Sequence, residues 1–302
     1  MRGEDDGDCP CNKLMRPCPA KSRKKPPLGA PYPCNLIAVK QNPIRSQLKR
    51  GVPAVGTWLT LPDPVAAHLM SRTGLDWLTV ELEHTSTSFE TAAQMFAIIA
   101  ADGCVPLARV PWNNTENIKR VLDTGAWGIV VPMVNSRADA EAVVKSARYR
   151  PIGERSIGGQ LHAANFATDA STYYAKANEQ ILVVVMAEHV DAVANIEEIL
   201  AVPGIDVVFV GPNDLHASMG LPPMFDSDDT QFNAALKKIL STARARGIAP
   251  GIHVLDAAQA QRRLGEGWQF IAVASEAGLM LAKAGEIAKA LGLGKGQAVA
   301  KY

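Results

Sequence analysis

The sequence predicts a single α/β domain folded as a (β/α)8 TIM barrel, and three observations carry that expectation. From residue 52 onward, eight short β-rich runs alternate with amphipathic helical patterns, the signature of parallel βαβ units. Runs such as Ile-Leu-Val-Val-Val-Met at 181–186 are continuously apolar, which suits strands buried on both faces. The chain has 302 residues, enough for one such barrel, commonly about 250 residues, with an extension to spare.

In order, the strands are read at 54–59, 77–82, 105–110, 128–131, 181–186, 206–210, 249–251 and 270–273. Helical patterns lie near 63–73, 89–102, 115–125, 137–148, 190–201, 229–246, 256–265 and 277–290. An open doubly wound sheet would carry a nucleotide loop at its first turn, and none is present. The Gly-Leu-Gly-Lys-Gly at 292–296 follows a helix and reads as its stop. A long irregular stretch, about 149–177, breaks the rhythm after the fourth strand. Loops of that length are usually functional, so it is expected at the active-site end, with His162 touching substrate.

Residues 1–40 read as a disordered extension and 41–302 as the barrel. Residues 1–34 hold Cys9, Cys11, Cys18 and Cys34, seven prolines and no hydrophobic periodicity. The cysteine spacing matches no common zinc finger, and Lys21–Lys25 reads as a solvated linker. The extension lacks an apolar stretch and carries Glu4, Asp5, Asp6 and Asp8, unlike a secretory or transit signal, so a cytoplasmic location is expected. Net charge is +1, with 47% hydrophobic and 20% charged residues, so no field points to nucleic acid. No apolar run approaches the roughly 18 residues of a membrane span. The expected partner is a small molecule.

Chemistry in a barrel gathers at the C-terminal ends of strands. There the sequence places Glu81-Leu82-Glu83-His84, Arg109, Glu188-His189 and Gly211-Pro212-Asn213-Asp214. One acid at a strand end is commonly a helix cap. Ionisable groups converging from four strands are costly as mere packing, because crowded charges need partners. Glu188 and Asp214 form an oxygen-rich pair suited to a hard divalent cation, Mg2+ or Mn2+, with Co2+ as a further option. Arg109 can fork onto a substrate carboxylate, and His84 can move protons near neutral pH. His189 and His216 adjoin the acid pair and leave an imidazole-ligated metal as the lesser alternative.

The segments Leu75-Asp76-Trp77-Leu78…Glu83-His84, Leu107-Ala108-Arg109-Val110-Pro111, Leu122-Asp123-Thr124-Gly125 and Phe209-Val210-Gly211-Pro212-Asn213-Asp214-Leu215 keep a common order and spacing. In that order they resemble the HpcH/HpaI family of class II, metal-dependent pyruvate aldolases, over about residues 43–292. Arg148-Tyr149-Arg150-Pro151…Gly153-Glu154-Arg155-Ser156 is similar to the family's loop after the fourth strand. The resemblance implies that Glu188 and Asp214 hold the metal and that Arg109 binds the pyruvyl carboxylate and keto oxygen. It implies His84 as base, oriented by Asp123, Trp58 as a pocket wall, and Gly211 and Asn213 at the substrate. It also implies a homo-oligomer, a hexamer or trimer, in which residues 276–291 pack on a neighbouring subunit. Three positions depart from the family: Glu81 stands where Asp is usual, Met186 where Gln is, and His189 where Ser or Thr is.

The expected reaction is cleavage or formation of a 4-hydroxy-2-oxoacid from pyruvate and an aldehyde through a pyruvate enolate. A Schiff-base route needs a lysine in the site, and no predicted strand ends in one. The rival readings are a related enolate lyase or oxaloacetate decarboxylase, and a catalytically silent barrel that acts as a binding protein.

Overall fold

The computed structural model describes residues 38–293. Helix α1 (Pro43–Lys49) precedes the barrel, and its N-cap Asn42 reaches the carbonyls of Trp127 and Gln180. The units follow as β1 (Ala54–Leu59), α2 (Pro64–Ser71), β2 (Trp77–Glu81), α3 (Phe89–Ala101), β3 (Val105–Arg109), α4 (Thr115–Asp123) and β4 (Gly128–Val131). Next come α5 (Arg137–Ala147), α6 (Leu161–Asn165), α7 (Ala170–Gln180), β5 (Leu182–Met186), α8 (Val190–Ala194), α9 (Ile196–Ile199) and β6 (Val207–Val210). The chain closes with α10 (Pro212–Ser218), α11 (Thr230–Ala245), β7 (Ala249–Val254), α12 (Ala257–Glu266), β8 (Phe270–Ser275) and α13 (Glu276–Ala290). All eight strands are parallel in sequence order, and β8 pairs with β1 to close the barrel, as the alternation predicts.

The lumen is packed, with Trp77 stacked on Phe270 at 4.2 Å and Trp58 5.6 Å from Phe209. Gly251 in β7 is required there, because a Cβ would lie 2.8 Å from Phe270 O and 2.9 Å from the Phe209 ring. That need explains why β7 runs through a Pro-Gly pair that reads as a strand end in sequence. Polar caps fix where helices begin: Ser88, Asn114, Ser136, Asp229, Asp256 and Ser275 each accept a backbone N–H of the first turn. Such a cap is worth about 1 kcal/mol.

Two expectations are corrected. The stretch after β4 carries α6 and α7 and does not sit at the active-site end. It joins the end of α5 to the start of β5, and Arg148 ties it to Ile181 O, Gly204 O and Asp206, all at the N-terminal ends of strands. The predicted helix at 190–201 is broken into α8 and α9 at Asn195, whose side chain donates to Asn135 O.

Residues 1–37, and with them nearly all of the extension and its cysteines, lie outside the described residues. Its last residues are ordered: Val39 is buried, and Lys40 donates to Phe166 O and Ala100 O. On α13, Leu279, Met280, Leu281 and Ile287 stand exposed. No helix among the described residues is long and apolar enough to cross a membrane.

Candidate active site

A cavity of about 250 Å³ opens at the C-terminal end of the barrel, lined by Trp58, His84, Arg109, Met186, Asp214 and His253 among others. Gly211 and Asn213 also line it. Of the residues singled out in sequence, the structure therefore brings Trp58, His84, Arg109, Gly211, Asn213 and Asp214 to one cavity.

Glu188 follows β5 and is buried. Its Oε1 accepts the Met133 N–H at 2.8 Å, while Oε2 is buried without a hydrogen-bond partner. Burial pushes the carboxyl up to about 7, and the charges of Asp214 and Glu83 add to the rise. Met133 presents its N–H from a left-handed backbone, φ 53°, which a non-glycine residue rarely adopts. Gly211 lines the other side, where a Cβ would stand 2.6 Å from Glu188 Oε2. Asp214 is exposed in the first turn of α10. Among the described residues no three His, Cys, Asp or Glu side chains converge on one point. A pair of carboxylates with one orphaned oxygen still fits a hard divalent cation, which completes its shell with water and substrate oxygens.

Arg109 ends β3 and is almost fully buried. Its Nε donates to Glu81 Oε2 at 2.6 Å and lies 3.3 Å from Glu83 Oε2. Burial opposes its charge, but Glu81, Glu83 and Glu188 outweigh that and keep the guanidinium protonated. Only Nε is engaged within the described residues, so the two terminal nitrogens remain for a ligand. Its guanidinium stands 5.7 Å from the Trp58 ring. Glu81, wholly buried, also accepts the N–H groups of Glu83 and His84. The His84 side chain is half exposed, with Nε2 3.5 Å from Glu83 Oε2.

Several expectations are not met within the single chain. Asp123 does not reach His84 within the chain: it ends α4, which runs back toward the start of β4, and its Oδ1 accepts from Arg155 Nη2 at 2.6 Å. His162 is buried beside Tyr173 in the segment at the opposite end of the barrel and does not line the cavity. His189 caps α8 through Nδ1, and both nitrogens of His216 are engaged, by Pro212 O and Ser227 Oγ. His216 has no nitrogen left for a metal, His189 keeps only Nε2, and neither lines the cavity, so the described residues lend the imidazole alternative no support. Sequence reading missed His253, which reads as a helix-start neighbour because the sequence pattern ends β7 at Gly251. It also missed the work of Met133, a backbone contact no side-chain pattern signals.

A family model described as HpcH/HpaI aldolase/citrate lyase matches residues 54–282. The chain is 33% identical over 246 residues to a hydroxypyruvate/pyruvate aldolase of Rhizorhabdus wittichii, covering 82% of this chain and 97% of the relative. It is 36% identical to a 4-hydroxy-2-oxo-heptane-1,7-dioate aldolase of Escherichia coli, covering 82% and 93%. The crystal structure of a HpcH/HpaI aldolase/citrate lyase family protein from Burkholderia cenocepacia superposes with a TM-score of 0.78 at 30% identity, covering 83% and 99%. The match spans every strand of the barrel and the whole cavity, and the chain belongs to the HpcH/HpaI aldolase/citrate lyase family.

Proposed function

We propose that the chain is a carbon–carbon lyase that cleaves or forms a 4-hydroxy-2-oxoacid, with pyruvate and an aldehyde as the partners. The observation that carries this reading is the orphaned Glu188 Oε2, buried directly behind Gly211 and interacting electrostatically with Arg109 and Asp214, at the edge of a cavity that His84, Arg109, Gly211 and Asp214 line. Glu188 and Asp214 would hold Mg2+ or Mn2+, with Co2+ a further option. A divalent cation there supplies Lewis-acid stabilisation of the negative charge that develops on the keto oxygen.

The chain's own residues do the rest. Arg109, locked through Nε, presents its terminal nitrogens to the 2-oxoacid carboxylate and keto oxygen. His84 takes the proton of the 4-hydroxyl, directly or through water. The C3–C4 bond then breaks, the aldehyde leaves, and protonation of the enolate at C3 gives pyruvate. Trp58, Phe209 and Phe225 wall the cavity with aromatic surface.

The assembly we propose is a homo-oligomer, a hexamer by the family pattern. The exposed apolar side chains of α13 support it. Asp123, at the far end of the barrel from His84, could orient that histidine only from a second copy. The test is pyruvate release from a panel of 4-hydroxy-2-oxoacids; release from none of them would overturn the reading.

A further inference from the structure

The proposed reaction gives no role to the histidine that lines the cavity from β7. His253, near the C-terminal end of β7, is 7% exposed and packs against Trp58, Phe209 and Phe225, with ring centroids 5.7, 6.4 and 4.9 Å away. Its Nε2 lies 2.9 Å from Ala274 O. A carbonyl oxygen only accepts, so Nε2 carries the ring proton and Nδ1 of the neutral imidazole keeps a lone pair. Nδ1 has no partner among the described residues, and the ring lines the cavity. Burial pushes the imidazole down to about 4, with the Arg109 charge adding to the fall, so the ring stays neutral at physiological pH.

A second observation shows that this orientation is built. Ala274 has φ 51°, a left-handed conformation costly for a residue with a Cβ. Around it the register between β1 and β8 shifts, between Gly56 and Trp58, and Thr57 Oγ1 donates to Val273 O at 2.7 Å. The strained turn points Ala274 O at His253, just as the left-handed Met133 points its N–H at Glu188. In an otherwise aromatic wall, a lone acceptor is stripped of water when a ligand fills the cavity. A ligand hydroxyl restores the lost bond and a methyl group does not.

We propose that His253 Nδ1 is a hydroxyl-recognition point that selects substrates with a hydroxyl beyond those the aldol reaction itself requires. This rests on the aldolase reading of the cavity. Two sources share that chemistry: an aldehyde bearing a hydroxyl next to its carbonyl, and a pyruvate-type donor hydroxylated at C3.

The experiment compares the wild type, His253→Leu and His253→Asn, each first checked for folding by its melting curve. Cleavage of 4,5-dihydroxy-2-oxopentanoate against 4-hydroxy-2-oxopentanoate reads the aldehyde side. Aldol addition to glyoxylate from hydroxypyruvate against pyruvate reads the donor side. Binding of each pair to the Mg2+-supplied protein by calorimetry is a third arm that needs no turnover. The wild type should favour the hydroxylated member of one pair, and His253→Leu should cut that preference by about 10-fold. His253→Asn, whose Oδ1 falls near the place of Nδ1, should keep part of it. Preferences that His253→Leu leaves unchanged in all arms would overturn the proposal. A wild type that turns over neither pair would remove the aldolase reading, and the binding arm would still decide whether Nδ1 reads a hydroxyl. If His253→Leu fails to fold, His253→Asn decides alone: a partial loss confined to the hydroxylated member of a pair supports an acceptor at this point, and no change, or an equal loss for both members, overturns it.

Discussion

Glu81 Oε2 lies 2.6 Å from Arg109 Nε, and Oε1 of the same buried carboxylate receives the N–H of Glu83 at 2.7 Å and of His84 at 3.2 Å. One acid thus fixes both Arg109, the proposed substrate-binding arginine, and the backbone that carries His84, the proposed base. The glutamate side chain is accommodated in a fully buried position.

Glu81→Gln should therefore lower kcat/KM by about 10- to 100-fold, with KM for the 2-oxoacid rising as Arg109 loosens. Stability should fall by less than the roughly 3–5 kcal/mol typical of a broken buried ion pair, because Glu83 stays 3.3 Å from the same Nε. Steady-state kinetics and a denaturant melt check both halves. Kinetics within twofold of wild type would show that the contact is only structural.

Arg109 and His84 should fail differently. In the proposed mechanism Arg109 stabilises charge in any reaction that passes through the pyruvate enolate, so Arg109→Ala should depress both aldol cleavage and oxaloacetate decarboxylation. No hydroxyl proton leaves in the decarboxylation, so His84→Ala should lose aldol cleavage by about 100-fold while decarboxylation falls less. Parallel losses in His84→Ala would remove the histidine from the role of base.

Gly211→Ala places a Cβ where Glu188 Oε2 now sits 2.6 Å away, so the carboxylate must turn. Affinity for Mn2+ should weaken by about 10-fold while the melting temperature barely moves. Unaltered Mn2+ binding in a titration would separate Glu188 Oε2 from the metal.

The Glu188 carboxyl, raised by burial to about 7 from an ordinary 4.5, gives a pH dependence of definite sign. Between those values the native protein keeps a proton that the unfolded chain releases. Stability of the metal-free protein should thus decline as pH rises from about 4.5 to about 7, by no more than about 3 kcal/mol. Glu188→Gln should flatten that slope. Melting temperatures of chelator-treated protein across this range test it, and an unchanged slope in the variant would assign the effect to another group.

Much of this was legible in the sequence because barrel strands and their C-terminal acids leave local marks: apolar runs at 182–186 and charged residues just past them. What was hidden depends on distance in space. Asp123 stands in a motif with the right spacing, yet the helix that carries it runs to the opposite end of the barrel, where Arg155 takes its carboxylate. His189 and His216 adjoin the acids in sequence but do not line the cavity: His189 uses Nδ1 on a helix cap, and His216 uses both nitrogens on its own helix and a loop. His253 was masked by a glycine that reads as a break and is in fact a close-packing requirement. Met133 and Ala274 act through backbone conformation, which no residue type at those positions announces.

In the proposed mechanism Glu188 and Asp214 hold the cation on which carbon–carbon cleavage depends. Pyruvate release from one turned-over 4-hydroxy-2-oxoacid, measured in chelator-treated protein before and after adding Mg2+, Mn2+ or Co2+, tests it most directly. Release should stop on chelation, return with at least one of the three cations, and be absent from Glu188→Gln and Asp214→Asn under every condition although both variants remain folded. Equal release with and without cation, or wild-type release from either variant, would contradict it.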